Sequence, residues 1–513
     1  MMTVDVLVIG GGCAGLRAAA EAAGAGAHVL LLNKGRIGRT GCSAFLDHRI
    51  EYSLMNIPDQ PPDSPERYLE DLLACGVGRN DRGVVGAFVQ GIPEERDFLR
   101  EIGMRFREEG GKPRRMHLPG HAHPRSLVTE EGFGRKLLAR LAHLGRTRGV
   151  VVRERTVALA LLRAGGRAAG ALAADARTGE LFEVRAGAVI LAAGGLGNIF
   201  PLTTNPPDIA GDGVAMAWRA GAALRDMDCI QCYPLAAAPA RGTYLVSGVL
   251  LAGRVLNRAG EAFDFEPPPG LPPHAARKAR LRALCEWMAA EARAGRGFDG
   301  GAMEWDGTAI CPETYAAQMP ATYAALRRVG ADLLRDRIRI APGAHQMLGG
   351  LHVDADGATS LPGLYAAGED LGGLHGADRL SGTGILEGLV FGRRAARAAV
   401  AFASGAGLPP LSAEDVPTWH GGNGRGGRQP SLEEARTLEA RVAAAMEPLL
   451  VRREVGAARR ALAGLEEVRA VADAVAFDRE RTRASLRMHR VRNLACAASL
   501  VASAMEGHAV PQE

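Results

Sequence analysis

Between residues 4 and 33, apolar and small residues follow the order expected of a strand, a helix and a second strand. VDVLVI at 4–9 is an apolar run of strand length, and HVLLLN at 28–33 is another. The alanine-rich segment Leu16–Ala23 lies between them and predicts a helix. Two buried strands separated by one helix are typical of a β–α–β unit.

The turn after the first strand carries a G-x-G-x-x-G pattern, formed by Gly10, Gly12 and Gly15. Glycines at these positions permit a tight turn, close approach of the backbone to a pyrophosphate, and close packing of the helix on the strand. The second strand ends in Asn33, followed by Lys34, instead of the usual acidic residue. Because an amide also forms hydrogen bonds with a ribose, we expect a dinucleotide site here.

Residues 64–148 are predicted to be mainly helical, with amphipathic stretches at Pro65–Cys75 and Arg82–Ile102. A turn-rich region with alternating residues follows and predicts strands. The last of these, AVIL at 188–191, runs into the glycine turn AAGGLG. This succession of strands and helices favours an α/β fold with a Rossmann-like domain.

The pattern changes between Asp226 and Arg337, where a proline-rich loop precedes predicted helices over Arg277–Arg293 and Met319–Leu334. The change predicts a second domain inserted into the first. After a glycine-rich linker at His420–Gly427, charged residues at i,i+4 spacing predict a helical tail over Ser431–Met505. The predicted order is therefore an interrupted α/β domain followed by a helical domain.

The composition excludes several function classes. A formal net charge of +5 over 513 residues is mild, and no basic run is interleaved with aromatic residues, so we expect no nucleic-acid partner. No apolar stretch approaches the ~20 residues of a membrane span. The sequence enters its first strand at once, leaving no room for a signal peptide, and its eight scattered cysteines indicate a reduced, cytoplasmic protein.

Two clusters of potential metal ligands have simpler interpretations. Cys229 and Cys232 form a C-x-x-C, but no second pair follows at metal-site spacing, and their apolar segment favours buried thiols over a redox pair. His117, His121 and His123 lack a matching set of carboxylates or thiols, which favours polar residues that line a cleft. We therefore predict no metal site.

The segment from Gly363 to Arg394, GLYAAGEDLGGLHGADRLSGTGILEGLVFGRR, is the most informative pattern in the second half of the chain. It predicts a strand, an acidic turn, a loop with His375 and Arg379, and a helix that opens near Gly382–Gly384. The free N–H groups at a helix start bind anions and electron-rich carbonyls. Together with the N-terminal motif, this segment favours one large cofactor held from both ends of the chain.

Four motifs resemble, in their order, those of flavoprotein subunits related to succinate dehydrogenase and fumarate reductase, a group that includes L-aspartate oxidase and adenylylsulfate reductase. They are IGGGCAGL, AVILAAGGLG, APGAHQMLGGL and GLYAAGEDLGGLHGADRL, and the resemblance extends to RVRNLACAASLVASA in the tail. It implies an FAD-dependent oxidoreductase with a Rossmann-like FAD-binding domain (1–225 and 338–410), an inserted capping domain (226–337) and a C-terminal linker and helical domain (411–513).

The resemblance implies non-covalent FAD, with hydride chemistry at the flavin N5. Glu369 would bind the ribityl chain or a ribose, and the helix start at Ser381–Leu386 would face the N1/O2 edge of the flavin. Membrane-bound relatives attach FAD to a histidine in a segment like S-H-T, where this chain has Arg39–Thr40, so no covalent link is expected. The implied cofactor-binding residues are Gly10, Gly12, Gly15, Asn33, Lys34, Thr40, Gly41, Ser43, Gly194, Asp212, Glu369, Ser381, Gly384 and Ile385.

For the substrate, the resemblance implies a carboxylate held by Arg379 and His345, which match the arginine of G-A-N-R-L and the histidine of A-H-Y-T-x-G-G. A planar guanidinium binds a carboxylate bidentately, and a histidine adds an orienting donor. The alternatives are a salt bridge to Asp378 for Arg379 and a core position for His345. Arg277 falls where the family keeps an arginine that delivers a proton, although a helix-surface role is equally open.

The opposite side of the implied site departs from the family pattern. The family's Q-x-H-P-T reads QCYPL, with Tyr233 at the histidine and Leu235 at the threonine, and Leu251 stands at the glutamate of R-G-E-G-G. Leu118 stands where aspartate oxidases use an acidic residue. These changes favour a less charged or larger substrate than succinate, fumarate or aspartate, with Tyr233 as a hydrogen-bond or proton donor.

Three hypotheses remain open at this point. The first is an FAD-dependent oxidoreductase that moves a hydride between flavin N5 and a carbon of a carboxylate-bearing small molecule. The second is an L-aspartate oxidase or fumarate reductase in the strict sense, with water molecules acting for the replaced side chains. The third is an electron-transfer flavoprotein subunit that works with an iron–sulfur partner docked on the helical tail.

Overall fold

The computed structural model describes residues 2–49, 54–130, 132–238, 241–411, 429–451 and 454–507. The α-helices in these ranges are α1 (Cys13–Gly24), α2 (Cys42–Arg49), α3 (Pro65–Cys75), α4 (Arg82–Glu101), α5 (Phe133–Thr147), α6 (Asp212–Arg219), α7 (Ser247–Ala252), α8 (Pro273–Arg293), α9 (Pro312–Gln318), α10 (Pro320–Arg328), α11 (Gly384–Ala406), α12 (Leu432–Met446), α13 (Val455–Asp473) and α14 (Thr482–Glu506).

The β-strands in the same ranges are β1 (Met2–Ile9), β2 (Val29–Asn33), β3 (Leu54–Asn56), β4 (Glu108–Glu109), β5 (Lys112–Pro113), β6 (Arg115–Met116), β7 (Ser126–Val128), β8 (Val151–Glu154), β9 (Thr156–Ala164), β10 (Arg167–Asp175), β11 (Leu181–Leu191), β12 (Leu224–Arg225), β13 (Ile230–Ala238), β14 (Arg254–Leu256), β15 (Met303–Asp306), β16 (Ile338–Met347), β17 (Gly350–Leu351) and β18 (Leu364–Ala366).

A seven-stranded sheet forms the centre of the first domain, in the order β8–β2–β1–β11–β10–β9, with β18 beside the end of β11. Strands β8, β2, β1, β11 and β18 run parallel to one another. Strand β10 pairs antiparallel with both of its neighbours, β11 and β9. Every residue of β2 is buried, as expected of a parallel strand covered on both faces. The predicted strand–helix–strand unit is confirmed as β1, α1 and β2.

The turn between β1 and α1 requires glycine at two positions. Gly10 has a φ of +117°, and a Cβ there would lie 2.0 Å from the carbonyl oxygen of Ala192 at the end of β11. A Cβ at Gly15 would lie 1.9 Å from the carbonyl oxygen of Gly10. Both clashes involve rigid backbone, so helix α1 can approach the sheet this closely only with glycine at both positions.

A second, antiparallel sheet builds the cap, in the order β13–β16–β15–β14. Its core contains Trp305, Tyr315 and Met288, all fully buried. Strand β16 belongs to both domains, because its first residues pack in the cap core and its last residues pack in the main core. The predicted boundary at residue 338 therefore falls at the start of a strand that pairs within the cap sheet.

The tail folds into α12, α13 and α14, which confirms the predicted helices there. Helix α14 packs on α12, α13 and α6, so it reaches the first domain. The predicted linker His420–Gly427 lies outside the described residues. Within the part of the chain that the structure covers, no helix is long and apolar enough to cross a membrane.

The prediction of a mainly helical region at 64–148 is confirmed for α3 and α4 but wrong for residues 108–128. Those residues form short strands, because Gly110 and Gly111, both with positive φ, turn the chain back on itself. The helix predicted over Met319–Leu334 is also shorter: α10 ends before Gly330, whose φ is +86°.

Candidate functional site

A cavity of about 860 Å³ lies at the carboxyl ends of β1, β2 and β11 and continues to the cap. Ligands of open α/β sheets bind at this edge, outside the carboxyl ends of the strands. One part of its wall is the β1–α1 turn, the end of β2 and the start of α11. The other part comes from β13, β16 and the cap helix α8. The cavity therefore connects the predicted nucleotide motif with the inserted domain.

The β1–α1 turn presents backbone to the cavity at Gly10 and Gly12, and α1 begins directly after Gly12. Asn33 lies beside this turn, where its Oδ1 accepts the N–H of Gly11 at 3.2 Å. Its buried Nδ2 has no hydrogen-bond partner among the described residues. A buried N–H donor without a partner is suited to an oxygen acceptor on a ligand, such as a ribose hydroxyl. Gly15 does not line the cavity, because its place is the packing of α1 on the turn.

Lys34 and Asp212 also line the cavity and form an ion pair of 2.5 Å. Helix α14 supports this pair, since Asn493 donates from Nδ2 to Asp212 Oδ1 at 2.8 Å and accepts from Arg219 Nη2 at 2.7 Å. Burial opposes ionisation of Asp212, but Lys34, His489 and Asn493 together hold its pKa well below the usual range. The pair is therefore ionised, and its geometry depends on the helical tail.

The segment 40–43, where the glycine-rich loop ends and α2 begins at Cys42, also lines the cavity. Its polar atoms are engaged locally: Thr40 Oγ1 donates to the Arg36 carbonyl at 3.0 Å, and the Gly41 N–H donates to Asp208 Oδ2 at 2.7 Å. Ser43 Oγ accepts the N–H of Cys13, at the first residue of α1, at 3.2 Å. The start of α2 is thus tied to the start of α1.

Gly194 and Glu369 also line the nucleotide part of the cavity. The buried Asp370 accepts a short hydrogen bond from the Ala193 N–H, which fixes the turn at Gly194. Glu369 Oε1 accepts the Met347 N–H at 2.9 Å, and its other oxygen makes no hydrogen bond within the described chain. Burial raises the pKa of Glu369 to about 7. Hydroxyl donors from a bound molecule would favour its ionised form.

Ser381, Gly384 and Ile385 line the cavity where α11 begins. The Ser381 carbonyl accepts from Asn56 Nδ2 at 2.8 Å and from His121 Nε2 at 3.0 Å, which holds the preceding loop in place. Helix α11 has no side-chain cap, so its first N–H groups remain available at the cavity. An uncapped helix start is suited to an electron-rich group.

Arg379 is buried, with 7% exposure, in the loop before α11. Its Nε donates to Thr383 Oγ1 at 2.8 Å and its Nη1 to Gln231 Oε1 at 3.3 Å. Both partners are neutral, and among the described residues no carboxylate lies within ion-pair distance of the guanidinium. The alternative salt bridge to Asp378 is wrong, since that carboxylate pairs with cap-helix cations. A buried guanidinium with neutral partners is suited to an anionic ligand.

The same arginine links the two parts of the cavity. A Cβ at Gly384, the first residue of α11, would lie only 3.0 Å from Arg379 Nη2. The guanidinium therefore lies directly against the helix start that the resemblance assigns to the flavin edge. An anion bound by Arg379 would sit beside that edge.

His345 lines the substrate part of the cavity together with Arg379. Thr204 Oγ1 and His345 Nδ1 form a hydrogen bond of 3.0 Å, and Nε2 has no partner within the described chain. Burial lowers the pKa of His345 to about 3, and the charge of Arg379 acts in the same direction. The imidazole is therefore neutral near pH 7 and is not a second cation in this site.

The remaining predicted site residues have partners that limit their roles. Tyr233 donates from its hydroxyl to the Leu245 carbonyl at 3.0 Å, so that hydroxyl already has an acceptor. Arg277 is exposed at the cavity wall, where its Nη2 donates to the His117 carbonyl at 2.7 Å. His375 does not line the cavity, and its Nε2 bonds to Glu387 Oε2 at 3.1 Å. The proton-donor roles of Tyr233 and Arg277 stay predictions.

Several residues of the site were missed by the sequence analysis. Gln231 is the glutamine of QCYPL, and Thr383 follows Arg379 by four residues in the same loop, so both lie within the quoted motifs. Thr204 and Tyr244 carry no such signal. Thr204 meets His345 across 141 residues of sequence, and Tyr244 reaches the cavity through the fold of the cap.

The cysteine and histidine clusters form ordinary contacts. Cys229 and Cys232 form no disulfide among the described residues, and Cys232 Sγ donates to the Leu450 carbonyl at 2.9 Å. Burial raises the pKa of Cys232 to about 12, so it is a thiol rather than a thiolate. His117 Nε2 contacts the His121 carbonyl at 2.6 Å. In the described ranges, no group of three or more His, Cys, Asp or Glu side chains could hold a metal ion.

Comparison with known proteins matches residues 5–385 to the FAD binding domain family. The fumarate reductase (CoM/CoB) of Methanothermobacter marburgensis contains a chain that is 32% identical over 398 residues, covering 76% of this chain and 71% of the relative. L-aspartate oxidase from Caulobacter vibrioides is 34% identical over 423 residues, covering 80% and 79%. The solved structure of Mycobacterium smegmatis Sdh1 in complex with UQ1 superimposes with a TM-score of 0.84 at 28% identity, covering 98% of this chain and 86% of that one.

Proposed function

Because this chain belongs to the family of FAD-dependent oxidoreductases that includes fumarate reductase and L-aspartate oxidase, we propose that it transfers a hydride between FAD and a carboxylate-bearing small molecule. One observation carries the substrate part of the proposal. Arg379 is buried between neutral partners and lies against the first residue of α11. This arrangement favours a carboxylate site next to the cofactor site within one cavity.

The residues of the nucleotide part fit FAD. Gly10 and Gly12 would approach the pyrophosphate, Asn33 Nδ2 and the free oxygen of Glu369 would meet hydroxyl groups, and the uncapped start of α11 would face an electron-rich ring edge. FAD held there supplies the acceptor or donor of a hydride. We further propose that FAD is bound non-covalently, since Arg39–Thr40 stands in place of the histidine to which relatives attach it.

Arg379 would bind the substrate carboxylate through its guanidinium N–H groups. Thr383 and Gln231 hold that guanidinium in one orientation, so little side-chain freedom is lost on binding. His345 would add a neutral hydrogen bond. Thr204 Oγ1 also lies 3.2 Å from the His345 carbonyl, so its one hydroxyl proton goes either to that carbonyl or to Nδ1. When it goes to Nδ1, the imidazole proton lies on Nε2 and can be donated to the carboxylate.

Proton delivery belongs to the same proposal. Of the two predicted donors, Tyr233 already donates to a backbone carbonyl, whereas Arg277 keeps further N–H groups besides the one bonded to His117. Arg277 therefore has N–H groups left for a ligand, and it lines the same cavity as Arg379. It projects from α8, so the cap would bring the proton donor and the FAD-binding domain would bring the carboxylate clamp.

An electron-transfer partner, such as an iron–sulfur protein, is a second candidate feature of the function. The similarity to Sdh1 over 98% of this chain favours it. The cytoplasmic location stays a prediction.

The experiment for the proposed function follows the visible absorbance of the flavin under anaerobic conditions. The FAD-loaded protein is titrated with a panel of carboxylic acids in the oxidised and in the chemically reduced state. The proposal predicts that at least one carboxylate bleaches the absorbance of the oxidised flavin or restores it from the reduced flavin. Arg379→Gln should abolish this response while the protein retains FAD. Arg100→Gln, which removes an exposed arginine on α4, is the matched control. An unchanged response in Arg379→Gln would contradict the proposal.

A further inference from the structure

The wall next to the carboxylate clamp is aromatic. The ring of Tyr244 stacks on that of Tyr233, with centroids 4.1 Å apart and planes inclined by 21°. On the side of the clamp, the Tyr244 ring lies 5.5 Å from the imidazole of His345. A molecule anchored by Arg379 and His345 therefore meets this pair of rings immediately beyond its carboxylate.

Apolar side chains pack with the two rings: Val246 and Cys285 belong to the same hydrophobic cluster as Tyr233, and Tyr244 and Leu281 pack against that cluster. Leu118, Val246, Leu281 and Cys285 line the same cavity. Leu118 and Cys285 are buried, and burial raises the pKa of the Cys285 thiol well above its usual value, so it stays neutral. These side chains provide surface for an uncharged group and no hydrogen-bond donors suited to an anion.

The cations that α8 contributes to the cavity already have partners. Lys278 Nζ donates to Asp378 Oδ1 at 2.9 Å and to the Arg379 carbonyl at 2.7 Å. Arg282 Nη2 donates to Asp378 Oδ2 at 2.8 Å, and Arg277 Nη2 donates to the His117 carbonyl. Lys278 and Arg282 thus share one carboxylate and Arg277 is exposed at the cavity wall, whereas Arg379 is buried and contacts only neutral groups in the described chain.

We propose that the substrate is a monocarboxylate with an uncharged aromatic or branched apolar group at its other end, which packs on the Tyr233–Tyr244 pair. This inference rests on the proposed function, since it takes Arg379 as the carboxylate site. Tyr244 is then the residue that sets specificity, because its ring faces both the clamp and the cavity.

Two physical effects favour such a molecule over a four-carbon dicarboxylate. The faces of aromatic rings carry partial negative charge, so they repel a second carboxylate and attract the edge of another ring. A carboxylate desolvated in this part of the cavity without a cationic partner is strongly disfavoured. An apolar group of similar size gains from leaving water.

The inference is tested by titrating the FAD-loaded protein with matched ligands and following perturbation of the flavin spectrum. Cinnamate has one carboxylate and a phenyl ring, fumarate has two carboxylates and no ring, and the amide of cinnamate has the ring but no charge. We expect cinnamate to bind at least about tenfold more tightly than fumarate, and the amide to bind at least about tenfold more weakly than cinnamate. Tyr244→Ala is expected to weaken the binding of cinnamate by about tenfold or more. The affinity for propenoate, which lacks the ring, should stay within about twofold of the wild-type value. Tyr244→Phe should keep cinnamate affinity.

The outcomes separate the two proposals. If fumarate binds as tightly as cinnamate and Arg379→Gln abolishes both, the proposed function stands and the substrate class is wrong. If no carboxylate perturbs the flavin, the proposed function fails together with this inference. Should Tyr244→Ala fail to fold, the wild-type comparison of cinnamate with fumarate decides, and Leu281→Ala provides a second variant on the same wall.

Discussion

Asn493 and Asp212 are joined by a 2.8 Å hydrogen bond although 281 residues separate them in sequence. Asn493 is fully buried in α14, and Asp212 is the partner of Lys34 at the nucleotide part of the cavity. The helical tail thereby helps to position two residues at the cofactor site. Removing this contact should affect FAD binding from a helix that does not itself carry the glycine motif.

The first prediction concerns Asn493→Leu, which removes the hydrogen bonds and nearly preserves the volume. It leaves Asp212 and Arg219 without one partner each, and a lost bond to a charged group costs about 1.5–3 kcal/mol. We expect the dissociation constant for FAD to rise by about tenfold or more, measured by titration of the apoprotein. Ser499→Ala removes a side-chain hydrogen bond from the same helix and is the control. Unchanged FAD affinity in a folded Asn493→Leu protein would disprove the positioning role.

The second prediction concerns the pH dependence of FAD binding. Glu369 has a pKa of about 7 because it is buried, so much of it is protonated below that pH. Hydroxyl groups of FAD would favour the ionised carboxylate, so binding should release a proton. FAD affinity should therefore increase as pH rises toward 7, by up to about tenfold per unit, and level off above it. Glu369→Gln should remove this dependence; a profile identical to wild type would show that another group titrates.

The third prediction concerns the turn at Gly15. A methyl group there would press on the Gly10 carbonyl, so Gly15→Ala should either separate α1 from the sheet or distort the turn. We expect loss of FAD retention on purification and a lower melting temperature. Gly464→Ala is the matched control, because its Cβ would meet nothing within 4 Å inside α13 and alanine favours a helix by about 1 kcal/mol. Retained FAD in Gly15→Ala would refute this account of the turn.

The fourth prediction concerns acid stability and His121. Burial lowers the pKa of this imidazole to about 3, so the folded protein keeps it neutral while the unfolded chain protonates it near pH 6.5. The contribution of neutral His121 to the free energy of unfolding is present above pH 6.5 and is lost as pH falls toward 3. Between pH 7.5 and pH 5, wild type should lose about 2 kcal/mol relative to His121→Gln in urea unfolding. The exposed His143→Gln variant controls for removal of a histidine, and parallel pH profiles of wild type and His121→Gln would contradict the assignment.

Sequence patterns predict the structure correctly where the determining contacts are local. The strand–glycine turn–helix unit at Gly10–Gly15 and the loop–helix unit at Arg379 are each contained in a short segment, so their patterns predict their structure. The motif order then identified the family, which the comparisons confirm.

Sequence patterns do not predict a contact when its partner is distant in sequence or when a backbone carbonyl takes up the side chain's hydrogen bond. The donor role of Tyr233 stays a prediction, and its sequence context gives no sign of the Leu245 carbonyl that accepts from its hydroxyl in the cap fold. The role of Asn493 depends on α14 reaching α6, and no local pattern shows that contact. Leu251 was predicted at the altered carboxylate position, yet it does not line the cavity, whereas Tyr244 does.

The central claim is that one cavity holds FAD and, beside it, a substrate carboxylate on Arg379. A crystal structure of the FAD-loaded protein with bound cinnamate tests it most directly. The account predicts carboxylate oxygens within hydrogen-bond distance of the Arg379 guanidinium and the phenyl ring packed on Tyr244. A carboxylate bound instead to Lys278 or Arg277, with Arg379 still contacting only Thr383 and Gln231, would contradict it.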